Sequence, residues 1–236
     1  QALAEALAEG APAIVLPASA ENVENGARAA RVQAIGVDEA FWRLGDGSMD
    51  WNAIDAFSVA INEDLARELD AKLGDEILFR APKPSAIPRE TFLGERDDAA
   101  ATLRLEVARI VPSESLGRFS LIPTQGRTFN AFIPLSVLQR RLDRQERANT
   151  ILTSGGGEES RAALRRECSL ADLGLRIRRS ESPPYLALET ERVFLQDETA
   201  QTARRIAEDM RLTPNAALAY LINAARANGR SFPYSM

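Results

Sequence analysis

The chain of 236 residues has no histidine and one cysteine. Without histidine there is no Ser-His-Asp or Cys-His nucleophile system, and no imidazole to hold zinc or non-haem iron. A single cysteine closes no internal disulfide, so thiol usage says nothing of compartment. Basic residues are outnumbered, 29 Lys and Arg against 34 Asp and Glu, for a formal charge of −5. Nucleic acid, which needs a basic face whose counterions are released on binding, does not fit that balance. Long apolar runs are missing too. The longest stretch without a charge, residues 212–225, contains Pro214, whereas a bilayer span takes about 18 or more apolar residues. Chemistry on this chain would rest on Asp, Glu, Lys, Tyr or Ser. Gln1 opens inside a helical pattern, which suits a fragment better than a natural start.

What is present, 45% hydrophobic and 27% charged residues, is a globular composition with enough chain for a core. Leu3 and Leu7 before Gly10 read as the end of a helix. Residues 13–16, bracketed by Pro12 and Pro17, read as a short buried strand, and 31–37 as a second. Residues 38–44 make one helical turn that carries Phe41 and Trp42 onto the core, followed by an Asp46-Gly47 turn. Residues 57–61 are a β-rich run, and Asn62 is a good N-cap followed by Glu63 and Asp64. Leu65, Leu69 and Leu73 repeat at four as one buried stripe, which Gly74 ends before a strand over 76–79. A right-handed crossover would make these two strands parallel if they share a sheet.

A loop with Pro82, Pro84 and Pro88 and an acidic tip (Glu95, Asp97, Asp98) leads to residues 102–111. There Leu103, Leu105 and Val107 alternate with Arg104, Glu106 and Ala108, as in a half-exposed antiparallel strand. Residues 131–133 form a strand. A helix follows Pro134, with Leu135, Leu138 and Leu142 inward and Gln139, Arg140, Arg141 and Arg144 outward, and 150–153 is again a strand. Strand-helix-strand thus occurs twice.

Gly155, Gly156 and Gly157 mark a boundary and a candidate hinge, since three glycines pack no side chain and leave the backbone free. They divide residues 1–154 from 155–236. The second part reads as a helix near 158–168, strands near 175–178 and 185–195, and a helix capped by Asp197 with Ala200, Ala203, Ile206 and Met210 on one face. A hairpin turns at Asn228-Gly229. The class is α+β: a mixed sheet with strand-helix-strand units, then a smaller C-terminal α+β subdomain.

Ala34-Ile35-Gly36-Val37-Asp38-Glu39-Ala40-Phe41-Trp42, Val59-Ala60-Ile61-Asn62-Glu63-Asp64-Leu65-Ala66 and Leu73-Gly74-Asp75-Glu76-Ile77 follow in order. With Val107-Ala108-Arg109-Ile110-Val111 and Ala131-Phe132-Ile133-Pro134-Leu135, then Leu138-Gln139, they resemble the MacB-like periplasmic core of FtsX-like and MacB-like ABC transporter permeases. The likeness covers about residues 11–154. The family's "EGR" segment is not visible, and Gly45-Asp46-Gly47 stands there instead. The resemblance implies an extracytoplasmic domain of an integral membrane protein, with no catalytic, cofactor or metal site. Such a domain couples ATP hydrolysis on a cytosolic ATPase subunit, reached through membrane helices, to substrate export or release or to activation of a partner. An extracytoplasmic protein, peptide or lipoprotein is the implied partner. No G-x-x-x-x-G-K-[ST] loop occurs in the chain, and the distal helix from Asp197 is available to meet that partner.

The alternative is a hydrolase or lyase using two carboxylates, which needs a deep pocket with two buried acids. Glu21 with Glu24, and Asp97 with Asp98, are the pairs on offer, and polar loops favour solvated carboxylates for both. Asp46, Gly47 and Asp50 lack calcium-loop spacing. Cys168, with no histidine to activate it, reads as a small packing residue. Arg140, Arg141, Arg144 and Arg147, interleaved with Asp143 and Glu146, read as a solvated face.

Overall fold

The computed structural model describes residues 10–45, 49–82, 100–122, 126–154, 158–190, 195–217, 224–227 and 230–233. The predicted helix through Leu3 and Leu7, the Asp46-Gly47 turn, Pro84, Pro88 and the acidic tip, and Gly155, Gly156 and Gly157 lie outside them. The chain divides into two compact units, Gln1–Leu173 and Gly174–Met236.

In the first unit the strands are β1 (Ala11–Asn22), β2 (Arg28–Val37), β3 (Ser58–Asn62), β4 (Glu76–Pro82), β5 (Ala100–Val111), β6 (Phe129–Pro134) and β7 (Thr150–Leu152). Helices α1 (Glu39–Arg43), α2 (Glu63–Glu68), α3 (Leu135–Arg141) and α4 (Glu158–Glu167) accompany them. The sheet order is β2-β6-β3-β5-β4-β1-β7, and β1 pairs with β2 as well, so the strands from β2 round to β1 close on themselves. β7 pairs only with the start of β1. The class is α+β with a mixed sheet, as the sequence implies.

β1 is far longer than the strand expected at 13–16, and both flanking prolines lie inside it. Their placement explains why they are tolerated. The Val15 N–H donates to Asn149 Oδ1 and the Val15 carbonyl accepts from Asn149 Nδ2, each at 2.9 Å. Backbone polar groups alternate in direction along a strand, so the odd residues here face away from β2. Pro17 therefore removes no β1–β2 bond. Pro12 faces the β2 side, beyond the first pair, Ile14 with Gly36.

Alternation then sorts the core into two layers. Val32 and Ala34 of β2, Val59 and Ile61 of β3, and Ile77 and Phe79 of β4 share one cluster with Leu103, Leu105 and Val107 of β5. Leu65 and Leu69 from α2, with Leu138 and Leu142 from α3, close over it. A Cβ on Gly36 would stand 2.8 Å from Leu138 Cδ1, so glycine is what lets α3 approach β2. The other layer joins Ile35, Val37 and Phe132 to Phe41 and Trp42 of α1 and to Trp51. Trp42 lies 5.0 Å from both the Phe41 and the Phe132 ring centroids.

Two expectations are corrected. α2 spans six residues and stops at a Leu69 cap, not at Gly74. Asp70 takes φ +44°, its N–H donates to Arg67 O, and the Ala71 N–H donates to Ala66 O. That is a Schellman ending with aspartate where glycine is usual. The stripe therefore loses its third member, and Leu73 is 64% exposed while Leu65 and Leu69 are fully buried. Second, β3 and β4 run antiparallel with β5 between them, because β3 is parallel and β4 antiparallel to β5. A six-residue helix spans about 9 Å and a five-residue strand about 17 Å, so α2 is too short to carry the chain back over the sheet. Gln139, expected outward, is buried and donates to Arg147 O at 2.9 Å.

The second unit holds the antiparallel hairpin β8 (Leu175–Glu181) and β9 (Pro184–Thr190), helix α5 (Asp197–Asp209), and the pair β10 (Ala224–Ala227) and β11 (Arg230–Pro233). Ala227 stands opposite Arg230, so Asn228 and Gly229, outside the described residues, are their connection, as expected for a hairpin. Asp197 is the first helical residue, not the cap: Gln196 occupies that position, with no side-chain bond to the helix. None of the described residues whose burial is assigned in this unit is buried. Ile206 on α5 and Met210 at its C-cap are 53% and 61% exposed.

Leu69→Ala should destabilise the first unit by about 2 to 5 kcal/mol, as large-to-small changes in packed cores do. Leu73→Ala should change stability by less than about 0.5 kcal/mol. Urea denaturation of both variants checks the helix ending. Equal costs would mean that α2 continues to Gly74.

Candidate functional site

Asn62 is the last residue of β3 and the N-cap of α2, its Oδ1 accepting from the Leu65 N–H at 3.0 Å. The sequence shows that much. The same oxygen also accepts from the Asn130 N–H at 3.1 Å, while Asn62 Nδ2 donates to Gly117 O at 2.9 Å and to Thr128 O at 2.7 Å. Asn130 Nδ2 adds bonds to Gly117 O and Phe119 O. Two buried asparagines on neighbouring antiparallel strands thus hold an irregular turn, Ser113–Gly117, against the sheet. Leu116 in that turn takes φ +64°, and a Cβ on Gly117 would run into the Pro112 carbonyl, so glycine is required by close approach. Asn130 Oδ1 and Thr128 Oγ1 are buried without a hydrogen-bond partner among the described residues.

Beside this node lies an open polar depression of about 250 Å³, lined by Asp64, Arg67, Ser113, Arg118, Gly126 and Arg127. Its side chains come from α2, the 113–117 turn and its successor, and the segment leading into β6. Arg67 Nη2 meets Asp64 Oδ1 at 2.9 Å, and Arg67 Nε donates to Glu63 O. The Ser113 hydroxyl donates to Glu63 Oε2 at 3.0 Å. Among the described residues Asp64 is the one buried acid, and it is held in that ion pair. A two-carboxylate reaction would need a second. No group of three or more metal-ligating side chains forms among the described residues.

The other singled-out residues lie apart from this depression. Glu21 is clamped by Arg28 at 3.0 Å and Arg80 at 3.1 Å, whose hydrogen bonds, Arg28 first, hold its carboxyl below the ordinary value of 4.5. Two arginines thus hold it in its ionised form. Asp97 and Asp98 lie outside the described residues. Cys168 is exposed, which corrects the packing reading: it follows the last residue of α4 instead of sitting on that helix's inner face. Arg140, Arg141 and Arg144 are exposed as expected, and Arg141 Nε donates to Thr102 O.

No family model matches the chain, and no curated protein matches it. Among solved structures it is similar to the periplasmic region of MacB from Actinobacillus actinomycetemcomitans, at 11% identity and a TM-score of 0.37, over 85% of this chain and 75% of that one.

Asn62→Ala removes a helix cap, worth about 1 kcal/mol, and strips the Thr128 carbonyl of its amide donor, at about 1 to 3 kcal/mol for a group left unsatisfied, while Gly117 O keeps its bond from Asn130 Nδ2. Chemical denaturation should show a loss of about 2 to 4 kcal/mol. A cost near that of an ordinary cap would show that the node does not act as one unit. For Glu21 the folded-state pKa is lowered, so its stabilisation is present above the ordinary carboxylate range and vanishes as pH falls through the folded value. Glu21→Gln should therefore melt lower than the wild type at pH 7, and the two curves should converge as pH falls below the ordinary carboxylate range. Thermal melts across that range test the sign.

Proposed function

We propose that the chain is an extracytoplasmic domain of an ABC transporter permease. In this reading it couples ATP hydrolysis on a cytosolic ATPase subunit to export or release of a substrate, or to activation of a partner outside the membrane. One observation carries the reading. The motifs that carry the resemblance fold as strand-to-helix steps: Val59–Asn62 leads into α2, and Ala131–Pro134 leads into α3. These two steps stand on neighbouring strands joined through Asn62 and Asn130. Gly36-Val37-Asp38 likewise ends β2 and caps α1, with Asp38 Oδ1 accepting from the Ala40 N–H at 2.9 Å. Short motifs scattered over about a hundred residues thus form contiguous structure, which supports the reading.

No helix among the described residues is long and apolar enough to cross a membrane, so membrane helices in this reading come from sequence outside them. The implied extracytoplasmic partner is a protein, peptide or lipoprotein.

Cys168 supplies the test, being exposed and the chain's only cysteine. In cells making the full protein, a charged thiol reagent that does not cross the cell membrane should label the wild type without lysis and leave Cys168→Ser unlabelled at that site. Labelling of Cys168 only after lysis would overturn the extracytoplasmic placement. Purification of the full protein from detergent-solubilised membranes should bring an ATP-hydrolysing subunit with it, and a preparation without one would sink the coupling.

A further inference from the structure

We infer that the depression between α2, the 113–117 turn and the segment entering β6 binds a phosphate-type oxyanion through Arg67, Arg118 and Arg127. This goes beyond the transporter reading and does not depend on it. Three arginines from separate parts of the chain line one open hollow in a protein whose net charge is −5. Among the described residues of the lining Asp64 is the one carboxylate against three arginines, and Glu63 is engaged by the Ser113 hydroxyl. The hollow is therefore locally cationic against the sign of the whole molecule. Asp64 spends its charge on Arg67. Among the described residues neither Arg118 nor Arg127 has a carboxylate within ion-pair distance.

The backbone beneath these arginines is fixed. Gly117 O and Thr128 O, the carbonyls next in sequence to Arg118 and Arg127, are both held by the one Asn62 amide at 2.9 and 2.7 Å. Arg67 rides on the helix that Asn62 caps. One buried residue thus sets the origin of all three cationic side chains, while the side chains themselves stay exposed. Their placement costs less ordering on binding than three arginines on independent loops would. The guanidinium fork matches the paired oxygens of a phosphoryl group, which a point charge would not select. At about 250 Å³ the hollow admits such a group but falls below the usual size of sites for larger organic ligands. A free phosphorylated solute and a phospholipid headgroup present the same chemistry.

The test uses the 236-residue chain and inorganic phosphate, titrated calorimetrically against chloride at constant ionic strength. Wild type should bind saturably with one equivalent. Arg118→Ala/Arg127→Ala should bind at least tenfold more weakly with an unchanged circular dichroism spectrum. Arg140→Ala/Arg144→Ala, exposed arginines on and just after α3, should bind as wild type does. A parallel arm measures capture on vesicles of phosphatidylcholine with and without phosphatidic acid. Capture that needs phosphatidic acid, is competed by phosphate and is lost in the Arg118/Arg127 variant assigns the site to a lipid headgroup. Phosphate binding without capture assigns it to a free solute. No saturable phosphate binding and no capture, or equal binding by the Arg118/Arg127 variant, overturns the inference and leaves the transporter reading as it was.

Discussion

The carboxamide of Asn62 is the interaction on which the first unit turns. A helix of six residues is too short to be stable alone, and its termini leave backbone groups without partners. Asn62 answers the N-terminal end, and Asn22 and Asn25 answer the other by donating to Leu69 O. Elsewhere Asn149 stands in for a paired strand residue against Val15, and Gln139 takes the Arg147 carbonyl. Side-chain amides carry two N–H donors and a carbonyl acceptor in a planar group like the peptide's own. This unit uses them wherever short elements and strand ends leave main-chain groups unmet.

That device also marks how far the sequence could be read. Alternation at Leu103, Leu105 and Val107 and the four-residue spacing of Leu65 and Leu69 report burial directly, because the period of the pattern is the period of the element. Asn62 is readable as a cap for the same reason: its acceptor serves a residue three positions away. Its donor serves carbonyls 55 and 66 positions away, which no local rule predicts. The three arginines of the depression likewise meet only through the fold. α2 ends short of Gly74 because Asp70 adopts positive φ without being glycine, and Asp143 and Arg211 do the same after α3 and α5. A left-handed residue with a Cβ costs about 1 to 2 kcal/mol, which the paired hydrogen bonds of the ending offset.

The recurrence of that ending ties the two strand-to-helix steps together. Arg67-Glu68-Leu69-Asp70 and Arg140-Arg141-Leu142-Asp143 close α2 and α3 with the same bond pattern, and the leucine of each is buried in the same cluster. The strands that feed them are antiparallel neighbours. The weak repetition visible in the sequence is thus a repetition of one local solution, placed twice over one face of the sheet.

β1 and β7 set a different property. Ala11 pairs with Leu152 and Ala13 with Thr150, so the chain comes into the sheet and leaves it at adjacent points. A load applied between those points falls first on this short ladder, one pair at a time from the Ala11 end, and next on the Asn149 amide at Val15. The ring of strands behind them is closed by its own pairings. The unit is built like a coupling with a peelable tab: tension would draw Ala11 and Ala13 out of their cluster and let out a short length of chain before it reached the closed ring.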